Sequence, residues 1–535
     1  MTTTVPVMLT TSFRPADTSV PLSDLTVGEL LQERAAQHPD RLALVATGHD
    51  GSEVRLTYAE LLERARAVAG GLLRIAEPGE YVALWAPNIA EWPLVEYGAA
   101  LAGVVLVALN PILRPDELRY ALDDSGAVAL LHADRSRDYD MAAIVAAVAP
   151  TCARLRTAVS LSQLETFTAP DGGDLPPVGQ LDPVMLQYTS GTTGLPKGVL
   201  LHHRALVNNA KLTMETTEVP TGSVCLNPLP MFHTAACVIS TLGPLWIGGA
   251  MVLLQQFTPA GALEAIEREK VAVHMAVPTV LGAVLEAARN RAEAAPQLER
   301  VLVGAANVPA TMIEAVEQLF GASVHNLFGQ TELAPVLCAT RRGDTRADQV
   351  GSVGRPLPHV EVKIIDPGTG ETQPLGTPGE ICARGYQQLI EYHGKPEATA
   401  AAVDDGGWLH LGDLGAMDER GVITLTGRLK ELIIRGGENI APASIENVLV
   451  THPAVLDAAV VGLPDDTWGE VVAAAVRLRE PMADPVGELT AWCRERMTPN
   501  KVPVRFEVVD SYPVTPSGKV QKFRLREQLT DGSSS

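Results

Sequence analysis

Basic residues are in short supply. The chain carries 63 Asp and Glu against 42 Lys and Arg, a formal net charge of −21. Nucleic acid and anionic membrane surfaces attract the opposite balance, so neither is expected as a partner. A locally basic cleft remains compatible with that total. Cysteine is sparse too: Cys152, Cys225, Cys237, Cys338, Cys382 and Cys493 are scattered, with no CxxC pair and no His at metal-binding spacing. They read as reduced, buried thiols of a cytoplasmic protein. No apolar run is long enough for a membrane span. The longest, YGAALAGVVLVAL at 97–109, holds two glycines and reads as a buried helix leading into a strand. The opening MTTTVPVMLTTSFRP lacks the basic segment and apolar core of a signal peptide. Internal repeats are missing as well.

What is present points to an α/β protein of more than one domain. At 535 residues the chain exceeds a single ordinary domain, and 46% hydrophobic with 20% charged residues is a globular composition. Residues 1–20 are polar and Pro/Thr-containing and are expected to form a loose tail. Amphipathic patterns at 27–39 and 57–73 predict helices, the second with Thr57 and Glu60 as a capping box. Apolar runs at 81–86, 104–109, 128–133, 251–257, 272–278 and 300–306 alternate with helical segments and predict buried, mainly parallel strands. Beyond about residue 350 the runs shorten and alternate (361–366, 379–385, 421–427), which predicts a β-rich subdomain ending near 429. The segment 430–535 predicts a small α+β domain.

Five short stretches stand out. In YTSGTTGLPKG (188–198), hydroxyls and glycines crowd into Thr189, Ser190, Gly191, Thr192, Thr193 and Gly194, and Lys197 follows a proline. Such a loop is either a surface turn or an anion cradle, where closely approaching N–H groups, hydroxyls and a lysine meet a phosphate. It is not a Walker A loop, because Gly191 is followed by TTGLPKGV. In NLFGQTE (326–332), Thr331 and Glu332 are adjacent. They suit a capped helix start, or a hydroxyl and carboxylate holding Mg2+ beside a phosphate. HLGDLG (410–415) sets Asp413 in a Gly-flanked turn, either as a solvated aspartate or as an acceptor for two ribose hydroxyls. GRLKELIIRGGENIAP (427–442) joins a basic entrance, an apolar strand and a glycine pair. PVTPSGKVQKFRLR (513–526) presents Lys519 on a turn, or is simply a basic tail.

Singly these are weak signals. In this order and spacing, over roughly residues 25–525, the chain resembles the adenylate-forming superfamily of acyl-CoA synthetases, nonribosomal peptide adenylation domains and luciferases. The resemblance implies a large N-terminal ATP- and acyl-binding domain (1–429) with two mainly parallel αβ sheets plus the β-rich subdomain, and a mobile C-terminal domain (430–535) hinged at Lys430. It implies two half-reactions: a carboxylate attacks the α-phosphate of ATP, and a thiol then displaces AMP from the acyl-adenylate. The implied cofactors are ATP, Mg2+ and CoA. On this resemblance, Thr189 to Gly194 and Lys197 cradle the β- and γ-phosphates. Gly304, Ala305 and Ala306, with Asn326, Leu327, Phe328, Gly329 and Gln330, form the adenine slot. Thr331 touches the α-phosphate and Glu332 carries Mg2+. Asp413, helped by Arg428, holds the ribose. Lys519 bridges the carboxylate and α-phosphate, and Gly436 and Gly437 line the pantetheine tunnel. Three positions depart from the common pattern: Phe328 for Tyr, Leu411 for Thr and Asn307 for Pro. None removes a charged group, so activity is expected.

The stretch PMFHTAACVIS (230–240) resembles the segment lining the acyl pocket, with His233 as a gate between carboxylate and thiol. No acidic residue occurs from Met231 to Trp246 to pair a substrate ammonium, which disfavours an amino acid. Small side chains at Thr234, Ala235, Ala236 and Cys237 suggest a wide apolar pocket for a bulky alicyclic, branched or medium-chain acid. The acceptor is CoA or, alternatively, an acyl carrier protein, and a non-catalytic nucleotide-binding homologue is the remote third reading. A monomer and a homodimer are equally compatible.

Overall fold

The computed structural model describes residues 8–169, 174–189, 196–304, 308–436, 438–465, 467–514 and 520–531. Four main sheets organise them. The first has seven strands. Its parallel centre is built from Pro183–Thr189, Val105–Leu109, Tyr81–Trp85, Ala129–His132 and Thr157–Ser160, and antiparallel Lys197–His202 and Glu391–Tyr392 finish one edge. The second has nine strands. Six of them, from Ser323–Gly329 to Leu42–Thr47, run parallel, and antiparallel strands close both ends. The expectation of mainly parallel sheets therefore holds for their centres, where continuous Val, Ile, Leu and Ala runs tolerate burial on both faces.

Helices cover these sheets. Helix Glu91–Ala102 is buried along its whole length and leads into Val105–Leu109, as the 97–109 run predicts. It lies close against Tyr58–Leu72, where a Cβ added at Gly98 would stand 2.6 Å from a Val68 methyl. The capping box expected at that helix is present: Thr57 accepts from the Glu60 N–H, and Glu60 accepts from the Thr57 N–H.

The third sheet, the β-rich subdomain, is antiparallel and includes Val360–Ile365, Gly379–Gly385, Leu409–Met417 and Ile423–Arg428. Its outer strand is Phe13–Arg14, which pairs with Val362 and Lys363. The described part of the N-terminal stretch is thus docked rather than loose. Ser12 is fully buried and bonds Pro374 O at 2.8 Å, and Phe13 meets the Trp408 ring edge-on. The polar composition of residues 1–20 concealed this strand, because two residues carry no readable period.

The fourth sheet gathers Ile433–Arg435, Glu438–Ile440, Val455–Asp465, Gly469–Leu478 and Arg505–Val508, with helices Pro442–Leu449, Pro485–Arg494 and Lys522–Asp531. It has its own small core around Ile433, Ile445, Val460 and Leu489. No described helix is long and apolar enough to cross a membrane.

Candidate active site

The first-sheet strands Pro183–Thr189 and Lys197–His202 form a hairpin whose last pair is Thr189 opposite Lys197. The residues between them that carry the cradle, Ser190, Gly191, Thr192, Thr193 and Gly194, lie outside the described residues. The base of the hairpin is clamped. Tyr188 Oη donates to Asp124 Oδ2 at 3.0 Å, Tyr120 Oη donates to Pro196 O at 3.0 Å, and Lys395 Nζ pairs with Asp124 Oδ1 at 2.5 Å. Burial first, then the Asp124 carboxylate, pushes the Tyr188 phenol far above its ordinary range, so it stays a proton donor.

Lys197 reaches a second motif through one aromatic ring. Its Nζ stands 4.8 Å from the centroid of Tyr392, whose Oη donates to Glu332 Oε1 at 2.7 Å. Edge strand Glu391–Tyr392 sets this up by placing Tyr392 opposite Val199. Glu332 is 8% exposed, sits in the 3-10 turn Thr331–Leu333, and its carbonyl accepts from Leu389 N–H at 2.9 Å. Thr331 beside it is half-buried. The sequence alternative of an exposed helix start therefore does not describe Glu332. Tyr392→Phe is expected to lower unfolding stability by about 1–3 kcal/mol, since a buried carboxylate loses its donor. A denaturant titration with an unchanged midpoint would contradict this.

The parallel ends of the second sheet supply the next group. Gly304 lies opposite Leu327 at the carboxyl end of Arg300–Gly304, the place where open α/β sheets form ligand crevices. Ala305 and Ala306, with Asn307, fall outside the described residues. Asn326 Nδ2 donates to Gln349 O at 2.6 Å, while its buried Oδ1 has no hydrogen-bond partner among the described residues. Phe328 pairs with Cys338, and the ladder bulges before Gly329. Glycine is obligatory there, because a Cβ would sit 2.0 Å from Pro335 O. Gln330 follows, half-buried, as the N-cap of the Thr331–Leu333 turn.

Asp413 lies on Leu409–Met417, opposite Arg428, and its Oδ1 is 2.9 Å from Arg428 Nε. The pairing with Gly379–Gly385 slips between His410 and Leu414, and Gly412 adopts φ +69° within the slip. Bulges of this kind re-aim side chains beside functional sites. Asp413 is 6% exposed, so it is not a solvated turn aspartate.

His233 follows strand Val224–Asn227. Its carbonyl accepts from the Ala236 and Cys237 N–H groups at 2.9 and 3.0 Å, opening the wide helical turn Ala235–Ser240. That turn is a π-helix, a form that clusters at functional sites. Of the small residues, Ala235 is half-buried, whereas Ala236 and Cys237 are fully buried in the core. Cys237 Sγ lies 3.1 Å from Gln187 Nε2.

Lys430 is exposed in the short turn Leu429–Glu431, between a strand of the third sheet and Ile433–Arg435 of the fourth. Gly436 has φ +58°, and a Cβ there would stand 2.9 Å from the Trp468 ring. The room expected beside this glycine is thus faced by an indole. Gly437 and Lys519 lie outside the described residues. Sequence reasoning missed Tyr392, Asp124 and Lys395, which carry no motif signal and matter only through their positions.

Comparison with known proteins identifies the family. The AMP-binding enzyme family matches residues 31–393, and the AMP-binding enzyme C-terminal domain matches residues 444–519. YngI of Bacillus subtilis (strain 168) is 36% identical over 537 residues, covering 95% of this chain and 97% of that protein. The mitochondrial medium-chain acyl-CoA ligase ACSF2 of Homo sapiens is 33% identical over 544 residues, covering 95% of this chain and 88% of that protein. Among solved structures, o-succinylbenzoate CoA synthetase (MenE) from Bacillus subtilis, in complex with its acyl-adenylate intermediate OSB-AMP, aligns with a TM-score of 0.82 at 29% identity, covering 94% of this chain and 99% of that one. The chain belongs to the AMP-binding enzyme family, in its acyl-CoA synthetase branch, as an AMP-forming acid–thiol ligase.

Proposed function

We propose that this enzyme activates a medium-chain, branched or alicyclic apolar acid and passes it to CoA. The observation that carries the reading is the Lys197–Tyr392–Glu332 connection, which joins the phosphate-loop lysine to the carboxylate of NLFGQTE. The name of the human relative supports the medium-chain end of the substrate range.

The first step brings two anions together, so the site needs cations and preorganised donors. Lys197 and the loop 189–194 take the β- and γ-phosphates, and Thr331 donates to the α-phosphate. Glu332 fits a Mg2+ ligand. It is a buried hard-oxygen donor beside a hydroxyl, with Oε1 fixed by Tyr392. When bound, Mg2+ neutralises phosphate charge. Gly304, Ala305, Ala306 and the strand Asn326–Gln330 form the adenine slot, where the Asn326 Oδ1 acceptor suits a purine amino group. Asp413, held by Arg428, accepts from the ribose hydroxyls. The domain boundary falls at 429/430, and rotation about Lys430 exchanges Lys519 for the glycine pair Gly436–Gly437. His233 stands where the carboxylate gives way to the thiol.

Ala235, the less buried of the small residues, takes the role of facing the acid. Ala235→Trp is expected to depress turnover of bulky acids by about 10–200-fold and leave short acids and ATP affinity nearly unchanged, because added volume penalises only ligands that need the space. Ala236→Trp should instead cost about 1–3 kcal/mol of stability, by overpacking a closed core. A pyrophosphate-release screen over acids of graded bulk, with CoA and with a holo carrier protein as acceptors, tests the whole reading. Preference for amino acids, or AMP release dependent only on the carrier protein, would overturn it.

A further inference from the structure

Among the described residues, one trio of His, Cys and acidic side chains brings its donor atoms within 4.8 Å of one another: Glu380, Cys382 and His410. Glu380 and Cys382 are alternate residues of strand Gly379–Gly385, so they share one face of the sheet. Cys382 lies directly opposite His410 on the neighbouring strand. His410 Nδ1 is 2.9 Å from Glu380 Oε2 and 3.6 Å from Cys382 Sγ. Donors held at about 2.0–2.3 Å from a tetrahedral zinc ion stand roughly 3.3–3.8 Å apart. The trio therefore needs only small side-chain adjustments to surround one ion.

Its surroundings complete the pattern. Cys382 and Glu380 are buried, while the His410 side chain is 28% exposed. Asp404 Oδ2 lies 3.7 Å from His410 Nε2, on the side away from the trio. A carboxylate behind a ligating imidazole fixes its tautomer and orientation. Glu380 Oε1 is held by the Gly412 N–H at 3.1 Å. We propose that Glu380, Cys382 and His410 form a three-ligand site for a borderline-soft divalent cation of the Zn2+ class, with Asp404 orienting the imidazole. Thiolate and imidazole donors select against hard Mg2+, so the site is distinct from nucleotide-bound metal. Binding releases to solvent the Sγ proton and, from an ion-paired imidazolium, the Nδ1 proton, leaving the imidazole N–H on Nε2, toward Asp404.

The same groups also satisfy one another as an ion pair beside a thiol, and Co2+ separates the two cases. Reduced, metal-stripped full-length protein is titrated with Co2+. One equivalent is expected to produce a sulfur-to-cobalt charge-transfer band with the intense visible bands of tetrahedral coordination, both erased by Zn2+. Cys382→Ser should abolish the charge-transfer band, and Cys493→Ser should leave it intact. Asp404→Asn should keep the spectrum and weaken Co2+ binding by about 10–100-fold, the usual effect of losing an outer partner. His410→Ala should weaken binding by more than that, and decides the matter if Cys382→Ser fails to fold. Absence of the band in the parent protein means an ion pair only and overturns the proposal. So does a band that survives Cys382→Ser, or an affinity unchanged in His410→Ala.

Discussion

Lys519→Ala will lower the rate of acyl-adenylate formation by about a hundredfold or more, and will leave thioester formation from supplied acyl-AMP near its original rate. The asymmetry follows from charge. Only in the first half-reaction does a carboxylate approach a phosphate, and a single preorganised ammonium between them relieves repulsion that develops at no other point. Lys519 itself lies outside the described residues, and the residues on either side of that stretch meet one another. Val514 and Val520 form an antiparallel bridge, and Gln521 N–H donates to Pro513 O at 2.7 Å. Just beyond, Lys522 Nζ pairs with Glu431 at 2.9 Å and Glu446 at 2.8 Å. Burial pulls the Lys522 ammonium down, and the two carboxylates outweigh it and hold it above its ordinary value. Lys522 is thus tied to Glu431, the residue beside Lys430. Separate assays of the two half-reactions check this, and equal loss in both would contradict the assigned role.

Lys430→Pro produces the opposite split. Adenylation should persist, while thioester formation should fall on the order of a hundredfold, the usual cost of misplacing reacting groups by an ångström. Lys430 occupies a three-residue turn that separates the last strand of the third sheet from the first strand of the fourth. The proposed rotation of one domain against the other would be absorbed at this short connection, and proline fixes φ near −65°, inside the range of a 3-10 turn. The exposed Lys430 side chain is not needed for packing, so Lys430→Ala should retain both activities. Pre-steady-state measurement of each half-reaction distinguishes the variants. Normal overall turnover in Lys430→Pro would place the hinge elsewhere.

Much of the fold was legible because burial on two faces writes long apolar runs. Strands at 81–85, 105–109 and 129–132 and the capped helix from Tyr58 lie where the patterns put them. Short edge strands were not legible. Phe13–Arg14 and Glu391–Tyr392 have two residues each, too few for any period, yet one docks the N-terminal stretch and the other delivers Tyr392 to Glu332. The motif residues Glu332 and Asp413 carried a family signature but not their burial, which depends on Tyr392 and on the strand slip at Gly412. The small residues at 235–237 illustrate a different limit. A helical register leaves open which side chain is core, and the π-turn decides it, closing Ala236 and Cys237 and leaving Ala235 half-open. Linear spacing likewise shows no metal motif, since Glu380, Cys382 and His410 meet only across a strand pair.

An acyl-adenylate route fixes where the acid's oxygen goes. A medium-chain acid labelled with oxygen-18 in its carboxylate, turned over with ATP and CoA, should place one labelled oxygen in the AMP and none in the pyrophosphate, because the carboxylate attacks the α-phosphate and the thiol then cleaves the acyl–oxygen bond. Label in the pyrophosphate, formation of ADP, or unlabelled AMP alongside acyl-CoA would contradict an acyl-adenylate route.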